Sequence, residues 1–381
     1  MRALGLYIHI PFCKRKCNYC DFYSLSCTQG AQISEYINSL SVQFKTQSHL
    51  FSDCVFDTVF LGGGTPSLLS PNDILRLFSA IRENFNIDDN AEISIEANPG
   101  TLNKEKLTTL RDAGVNRMSI GLQSYFDSEL ELLGRIHTLS DFERTFSLAR
   151  SEGFDNINID IMYALPNQKK ADFLKTLDYV VEKSPEHISS YCLKIEKNTP
   201  FFKTVNPVSL PNEDTQYEMY IDMCDILSKS GYEQYEISNF SKMGKRCKHN
   251  MKYWLSQEYV SFGPGAHSYF NGERYSYSPN LHDYVSAIKD GKLPYAIIQE
   301  SADIGENEKR DEYVMLKLRL CDGICEADFK NLFGISVAEA YPDIEKYIKS
   351  GHVLRYNGAL RFSSKGFFVS NYILSDILFN N

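Results

Sequence analysis

Residues 11–22 read PFCKRKCNYCDF. Three cysteines, Cys13, Cys17 and Cys20, follow one another with the spacing C-x3-C-x2-C, and Phe22 stands where a fourth cysteine could follow. Basic residues lie between the thiols and aromatic residues lie around them. Three thiolates on one loop can hold three irons of a [4Fe–4S] cluster and leave the fourth iron open to a small molecule. The pattern therefore predicts a loop that binds an iron–sulfur cluster and leaves one iron without a protein ligand.

Two other interpretations of these cysteines remain open on the sequence alone. A distant histidine could complete a zinc site, or the three thiols could be unrelated members of the core. The chain has ten cysteines in 381 residues, too few for a disulfide scaffold. We interpret the scattered ones as buried thiols, and the pair Cys321 and Cys325 as structural.

The composition is that of a globular protein with two domains, or with one large domain and an appendage. Hydrophobic residues make up 43% of the chain and charged residues 23%, with a formal net charge of −9. This charge disfavours broad binding to nucleic acid or to anionic lipid. No apolar run is long enough to span a bilayer, and the first residues lack the features of a signal peptide. We therefore expect a cytoplasmic protein.

Short apolar runs alternate with amphipathic helical patterns along the first 290 residues. Six strand-plus-helix units predict a parallel sheet with right-handed crossovers, open or curved into a full or partial barrel. Helices are predicted to begin at Ser70-Pro71, at a capping box of Ser140 and Glu143, and near Asp214. The predicted strands are 6–10, 55–61, 92–96, 117–121, 156–161 and 187–193.

Chemically distinctive residues follow the ends of these predicted strands. The cysteine loop follows the first strand and Gly-Gly-Gly-Thr follows the second. Glu96 ends the third strand, Gln123 follows the fourth and Asp160 lies near the end of the fifth. Because parallel strands end at one edge of a sheet, these residues should meet there. The sequence thus predicts a single active site at that edge.

The pattern changes after residue 290. We predict a core of residues 1–290, a linker at 291–305 and a C-terminal module at 306–381. Helical patterns followed by a hairpin at Asn357-Gly358 indicate a winged-helix-like module. This module has ten Lys and Arg against eleven Asp and Glu, which argues against a nucleic-acid-binding role.

Several motifs together resemble radical SAM proteins of the coproporphyrinogen-oxidase-like family. The resemblance covers nearly the whole chain and implies a partial (β/α)6 barrel of the α/β class. It also implies a [4Fe–4S] cluster and S-adenosylmethionine, whose sulfonium bond is cleaved by one electron to release a carbon radical. The motifs are YIHIPFC (7–13), GGGTP (62–66), EANP (96–99), GLQS (121–124), LGR (133–135) and NID (158–160).

The same resemblance implies roles for residues at the strand ends. Tyr7, Gly63 and Glu96 would contact the S-adenosylmethionine bound to the cluster. A second S-adenosylmethionine is held in the oxidase at positions that match Tyr19, Gly64, Thr65, Gln123, Arg135 and Asp160. Simpler interpretations stay open: the glycine run as a tight turn, Asp160 as a helix cap and Arg135 as a surface ion pair.

Two features separate this chain from the oxidase within the family. The oxidase has a fourth cysteine where Phe22 stands here, and it has an N-terminal extension ahead of the first strand. The resemblance therefore leaves open whether this chain is an enzyme, and both differences weaken the prediction of decarboxylase activity.

Residues 247–254, CKHNMKYW, resemble the signature of the heme chaperone branch, whose members bind heme and pass it to recipient proteins. An imidazole such as that of His249 is a good axial ligand for heme iron, and Tyr253 and Trp254 offer flat faces for a porphyrin. Asn250 belongs to the same signature, and Cys247 is a second candidate ligand. The alternative is that these side chains pack beneath the barrel rim. His267, in GPGAHSY (263–269), has no assigned role.

The leading hypothesis is thus a heme chaperone that carries a [4Fe–4S] cluster and S-adenosylmethionine. The alternative is an oxygen-independent coproporphyrinogen III oxidase, which decarboxylates propionates to vinyl groups in porphyrin biosynthesis. The expected partners are heme or porphyrin, heme-recipient proteins such as respiratory cytochromes, and an electron donor. A homodimer and peripheral membrane association are compatible with this hypothesis, whereas nucleic acid is not an expected partner.

Overall fold

The computed structural model describes residues 1–26, 30–291 and 298–379. The strands are β1 (Arg2–Ile10), β2 (Phe12–Cys13), β3 (Leu25–Ser26), β4 (Cys54–Gly63), β5 (Ile87–Ala97), β6 (Arg117–Gln123), β7 (Ile157–Tyr163), β8 (His187–Cys192), β9 (Glu233–Gln234), β10 (Asn239–Ser241), β11 (Tyr259–Phe262), β12 (His267–Phe270), β13 (Glu273–Tyr277), β14 (Ile298–Asp303), β15 (Ile324–Cys325), β16 (Val353–Tyr356) and β17 (Ala359–Phe362).

The α-helices are α1 (Gly30–Gln47), α2 (Pro71–Asn84), α3 (Lys104–Asp112), α4 (Asp127–Leu132), α5 (Leu139–Ser151), α6 (Lys170–Lys183), α7 (Pro200–Thr204), α8 (Glu213–Lys229), α9 (Lys248–Trp254), α10 (Leu281–Lys289), α11 (Glu306–Lys317), α12 (Glu326–Phe333), α13 (Val337–Ala340), α14 (Ile344–Lys349), α15 (Ser364–Phe368) and α16 (Ser370–Phe379). Within these described residues, no helix is long and apolar enough to cross a membrane.

A large mixed sheet forms the centre of the molecule. Its middle contains the six predicted strands in the order β1-β4-β5-β6-β7-β8, all parallel. On the outer side of β1 lies β11, which is also parallel, and on the outer side of β8 lies the antiparallel β10. The parallel strands therefore do not close on themselves, and the prediction of a partial α/β barrel is confirmed.

Side chains alternate along the parallel strands between an apolar core and a polar inner face. On β5, Ile93 and Ile95 belong to the core, whereas Glu92, Ser94 and Glu96 project to the opposite face. The core side is covered by helices such as α2, whose buried face includes Leu77, as expected for a sheet with crossover helices. The inner face therefore carries the chemically active side chains.

Two of the helix starts can be compared directly with the sequence. Ser70 caps α2 by accepting a hydrogen bond from Asp73 N, with Pro71 in the first turn, as predicted. The predicted capping box of Ser140 and Glu143 is wrong, because Thr138 and Asp141 form the box at the start of α5. Both candidate pairs have the same spacing, and the structure begins the helix two residues earlier.

The C-terminal module combines helices with a small three-stranded sheet, β15-β17-β16, and the helices α15 and α16 follow the last strand. Its hairpin turns at Asn357 and Gly358, whose φ angles are 51° and 76°, as the favoured two-residue turn requires. The linker prediction is wrong for 298–303, because these residues form β14 and pair with β13. The rest of the predicted linker includes 292–297, which lie outside the described residues, and the division into domains remains a prediction.

Candidate functional site

The barrel cavity, with a volume of about 400 Å3, lies at the carboxyl ends of the parallel strands. The cysteine loop and the ends of β4 to β8 contribute to its wall, as predicted from the strand-end pattern. The predicted site residues that line it are Cys13, Cys17, Tyr19, Cys20, Gly63, Gly64, Thr65, Glu96, Gln123, Arg135, Asp160 and Asn250.

The three cysteines face this cavity as free thiols. Burial raises the pKa of Cys20 to about 11, and it also raises the pKa of Cys13. In the part of the chain that the structure describes, no three His, Cys, Asp or Glu side chains converge as a single metal ion requires. A [4Fe–4S] cluster does not need such convergence, because each thiolate binds a different iron, so the donor set fits a cluster.

Two side chains donate hydrogen bonds to the cysteine sulfurs. The Thr65 hydroxyl lies 3.4 Å from Cys13 Sγ, and Arg135 Nη1 lies 3.6 Å from Cys17 Sγ. Arg135 also donates to the Gly121 carbonyl at 2.8 Å. The surface ion pair considered for Arg135 is therefore not what the structure shows.

Asn98 connects these two donors. Its Nδ2 donates to Thr65 Oγ1 at 2.8 Å, and its Oδ1 accepts from Arg135 Nη2 at 2.7 Å. One carboxamide thus orients both groups that contact the cysteine sulfurs. No role was predicted for Asn98 from the sequence, although the motif EANP contains this residue.

Gly63 and Gly64 are required by the close approach of β4 to the start of the cysteine loop. A Cβ on Gly64 would lie 2.7 Å from the Phe12 carbonyl oxygen, and one on Gly63 would lie 2.4 Å from the His9 ring. Gly63 also has a φ of 106°, which disfavours other residues. The tight-turn interpretation explains why glycines occur here, and both glycines also line the cavity.

Glu96 and Asp160 bring two carboxyl groups to the inner face of the sheet. Glu96 Oε2 accepts from Gly63 N at 3.0 Å, and burial, with the charge of Asp160 second, raises the pKa of Glu96 to about 7. Asp160 accepts from the Ser119 hydroxyl at 2.9 Å and from Asn158 Nδ2 at 2.7 Å, and burial raises its pKa. Asp160 lies in β7, so it is not the helix cap considered above.

Tyr7 is the one predicted S-adenosylmethionine contact that does not line the barrel cavity among the described residues. It faces a second cavity of about 550 Å3, which we call the aromatic pocket. The Tyr7 hydroxyl lies 3.1 Å from His9 Nδ1, and its ring stacks on Phe60. The S-adenosylmethionine contact that the resemblance implied for Tyr7 stays a prediction.

His249 is buried beneath the floor of the barrel, with 1% of its surface exposed. Its Nδ1 lies 2.9 Å from Thr58 Oγ1, its Nε2 lies 2.8 Å from the Tyr253 hydroxyl, and its ring stacks on Phe60. Burial lowers the pKa of His249 to about 3. Both ring nitrogens are thus engaged within the protein, and an axial bond from this histidine to heme iron, which needs a free ring nitrogen, stays a prediction.

The rest of the signature is divided between different surroundings. Asn250 reaches the barrel cavity, and Tyr253 lines the aromatic pocket. Trp254 is half-buried and, within the described residues, lines neither of these cavities. Cys247 is fully buried with its Sγ 3.6 Å from Glu92 Oε1, so it offers no ligand surface either. The signature does not form one porphyrin face.

Comparisons with known proteins identify the family. Residues 7–180 match the pattern of the Radical SAM superfamily, and residues 306–369 match that of the HemN C-terminal domain. The chain is 33% identical to the heme chaperone HemW of Haemophilus influenzae, over 97% of each chain. The chain belongs to the HemW family of radical SAM proteins. The HemW of Bacillus subtilis is also 33% identical, over 98% of each chain.

A solved structure shows the same fold as this HemW family member. Coproporphyrinogen III oxidase (HemN) from Escherichia coli, described as a radical SAM enzyme, superposes with a TM-score of 0.87. The match covers 100% of this chain and 91% of the oxidase at 22% sequence identity. The family, the branch and the fold class predicted from the sequence are therefore confirmed.

Proposed function

We propose that this HemW family member binds heme and delivers it to recipient proteins, and that it carries a [4Fe–4S] cluster with S-adenosylmethionine. The observation that carries the heme proposal is the full-length similarity to curated heme chaperones, at 33% identity over 97% or more of the chain. The function further requires an electron donor for the cluster and a protein that accepts the heme, for which respiratory cytochromes are our hypothesis.

Cys13, Cys17 and Cys20 would hold the cluster. Their common exposure to the barrel cavity supports this assignment, as do the donors on Cys13 and Cys17. When bound, a cluster with one open iron supplies a coordination position for the amine and carboxylate of S-adenosylmethionine, together with an electron. Because thiols must lose protons to bind iron, the raised pKa values of Cys13 and Cys20 mean that cluster insertion releases protons.

The remaining residues of the barrel cavity would bind S-adenosylmethionine. Gly63 and Gly64 let the ligand approach the backbone, since neither carries a side chain. Glu96 and Asp160 are acceptors for an ammonium or for ribose hydroxyls. The Glu96 carboxyl is already held by Gly63 N, which orients it toward the cavity. The other residues proposed to line this binding site are Tyr19, Thr65, Gln123 and Arg135.

The cluster assignment is tested by anaerobic reconstitution with iron and sulfide. Replacing Cys13, Cys17 or Cys20 by serine should abolish the iron–sulfur absorption and lower the amounts of bound iron and sulfide. Cys192→Ser is the matched control, since this cysteine is exposed and lies outside the lining of the barrel cavity. Zinc in place of iron, or a cluster that survives each single substitution, would overturn the assignment.

The heme assignment is tested with the reconstituted protein under anaerobic conditions. We expect stoichiometric binding in a heme titration, followed by transfer to an apo-cytochrome, read from the absorption spectra of donor and acceptor. Conversion of coproporphyrinogen III to a divinyl product by the same preparation would instead support the oxidase alternative. Absence of both heme binding and porphyrin conversion would remove the proposed function.

A further inference from the structure

The aromatic pocket lies between β1, the cysteine loop and the hairpin of β12 and β13. The pocket has a volume of about 550 Å3, and its wall consists mainly of ring side chains. From the sheet come Tyr7 and Tyr259, from α9 comes Tyr253, and from the cysteine loop come Phe22 and Tyr23. Such a wall suits a flat apolar molecule, which gains from stacking against aromatic faces.

Phe22 joins this pocket to the barrel cavity, because its ring lines both. It is 68% exposed, although it is a large apolar side chain next to the proposed cluster cysteines. A single exposed apolar residue is ordinary, but an exposed ring at the rim of an aromatic pocket marks a surface that a ligand can cover. Lys16 donates to the Phe22 carbonyl oxygen at 3.0 Å, so a cation stands at the same rim.

The two histidines that line this pocket differ in whether a ring nitrogen is free to bind iron. In His9, which also lines the pocket, Nδ1 contacts the Tyr7 hydroxyl and Nε2 lies 2.9 Å from the Tyr23 carbonyl oxygen. His267 lines the pocket and is exposed. Across the described residues, no side-chain hydrogen bond or ion pair engages its imidazole, so a ring nitrogen is free to bind iron.

We propose that the aromatic pocket binds heme and that His267 supplies an axial ligand to the iron. The proposal rests on the proposed function, since it names the site at which the heme cargo is held. The macrocycle lies against Phe22 and Tyr23, with the imidazole of His267 on the iron and Lys16 near the propionates. This arrangement uses Phe22 as a stacking surface beside the cluster loop.

The test is a ferric heme titration of the reconstituted full-length protein, read by its Soret band and by low-temperature electron paramagnetic resonance. His267→Ala should weaken binding about tenfold or more and change the ligand-field signals of the iron, because an axial ligand is lost. Added imidazole should restore the signals of a histidine-ligated iron in His267→Gly. Phe22→Ala should weaken binding several-fold and leave the axial-ligand signals in place.

Matched variants separate this proposal from its alternatives. His282→Ala removes another exposed histidine, on α10, and should leave heme binding unchanged. The buried His249 is replaced by Gln, with a melting curve to show that the variant is folded. Unchanged binding and signals in His267→Ala, or loss of the histidine signals only in folded His249→Gln, would overturn the pocket assignment while heme binding stands. A wild type that binds no heme would instead reject the proposed function itself.

Discussion

Asn98 contacts the cysteine sulfurs only indirectly, through two other side chains. Its carboxamide holds the Thr65 hydroxyl with one atom and the Arg135 guanidinium with the other, and each of these groups donates to a cysteine sulfur. Hydrogen bonds to the sulfurs of an iron–sulfur cluster stabilise its more negative, reduced form. Asn98 is therefore a positioning residue for the proposed cluster.

Replacing Asn98 by Ala should lower the reduction potential of the reconstituted cluster. Thr65 and Arg135 would lose their common anchor, so their bonds to sulfur should weaken and the potential should fall on the order of tens of millivolts. A redox titration followed by electron paramagnetic resonance gives the potential directly. Asn103→Ala is the control, because it removes the α3 cap without touching a cysteine. Equal potentials in all three proteins would contradict the prediction.

The buried Glu96 predicts how the folding stability of the cluster-free protein depends on pH. Burial and Asp160 raise its pKa from an ordinary value of 4.5 to about 7, so the folded state resists ionising a group that the unfolded chain ionises freely. The resulting cost is absent below about pH 4.5, grows as the pH rises and is complete above about pH 7. Glu96→Gln keeps an acceptor for Gly63 N and removes this cost.

The expected result is that Glu96→Gln is more stable than the wild type near pH 8, on the order of 2 kcal/mol, and much closer to it near pH 5. Urea unfolding of the apo-protein at both pH values measures this difference. Glu105→Gln, at an exposed position in α3, should show no such dependence. A stabilisation of the same size at both pH values would refute the ionisation argument.

Residues at strand ends were predictable because the sheet itself brings them together. Cys13, Glu96 and Asp160 needed only the alternation of strands and helices to be placed at one cavity. The burial of His249 was not predictable, because a short motif does not reveal whether its helix faces solvent, a cavity or the inside of the barrel. The availability of His267 depends on the packing of a hairpin that the sequence pattern did not identify.

At the level of elements, α9 fills the lower part of the barrel and packs against β1 and β4. Lys252 and His249 lie so close to β1 that a Cβ on Gly5 would be 2.9 Å from one and 3.2 Å from the other. The Glu92 carboxylate of β5 accepts hydrogen bonds from the backbone nitrogens of Lys248 at 3.1 Å and His249 at 3.2 Å. The signature helix is thus fixed by the sheet and supports the floor of the cavity.

Changing Glu92 to Gln should destabilise the protein by about 1–3 kcal/mol, because one of the two acceptor oxygens at the start of α9 becomes a donor. The reduction should appear as a lower urea midpoint with an unchanged slope. Glu105→Gln serves again as the exposed comparison and should change stability by less than about 0.5 kcal/mol. Similar effects in both variants would show that α9 does not depend on this carboxylate.

The six parallel strands could be predicted because each is a largely apolar run followed by a helical pattern. The strand β11 was missed, since it has only four residues, Tyr259–Phe262, and follows the short helix α9. Pairing explains the error at 298–303 as well, because the polar sequence IQESAD becomes a strand through its neighbour β13 and not through its own pattern. Long-range pairing of this kind is not encoded in a local window.

At the scale of the whole molecule, the C-terminal module is joined to the barrel by backbone and by aromatic contacts. Leu320 forms an antiparallel bridge with Glu236, and Cys321 N donates to the Tyr235 carbonyl oxygen at 3.0 Å. The Phe368 ring packs against Tyr217 and Tyr220 of α8, with ring centroids 5.3 Å and 6.1 Å apart. These contacts place α8 between the sheet and the module.

Replacing Phe368 by Ala should therefore loosen both sides of this contact. We expect a loss of about 1–3 kcal/mol in unfolding free energy, below the range for a fully buried ring because Phe368 is only half-buried. Hydrogen exchange followed by mass spectrometry should show faster exchange in α8 as well as in α15, while the hairpin of β16 and β17 keeps its protection. Tyr372→Ala, at a ring that is 71% exposed on α16, should leave exchange in α8 unchanged. Faster exchange confined to the module would mean that α8 is held by the barrel alone and that the ring contacts do not join the two parts.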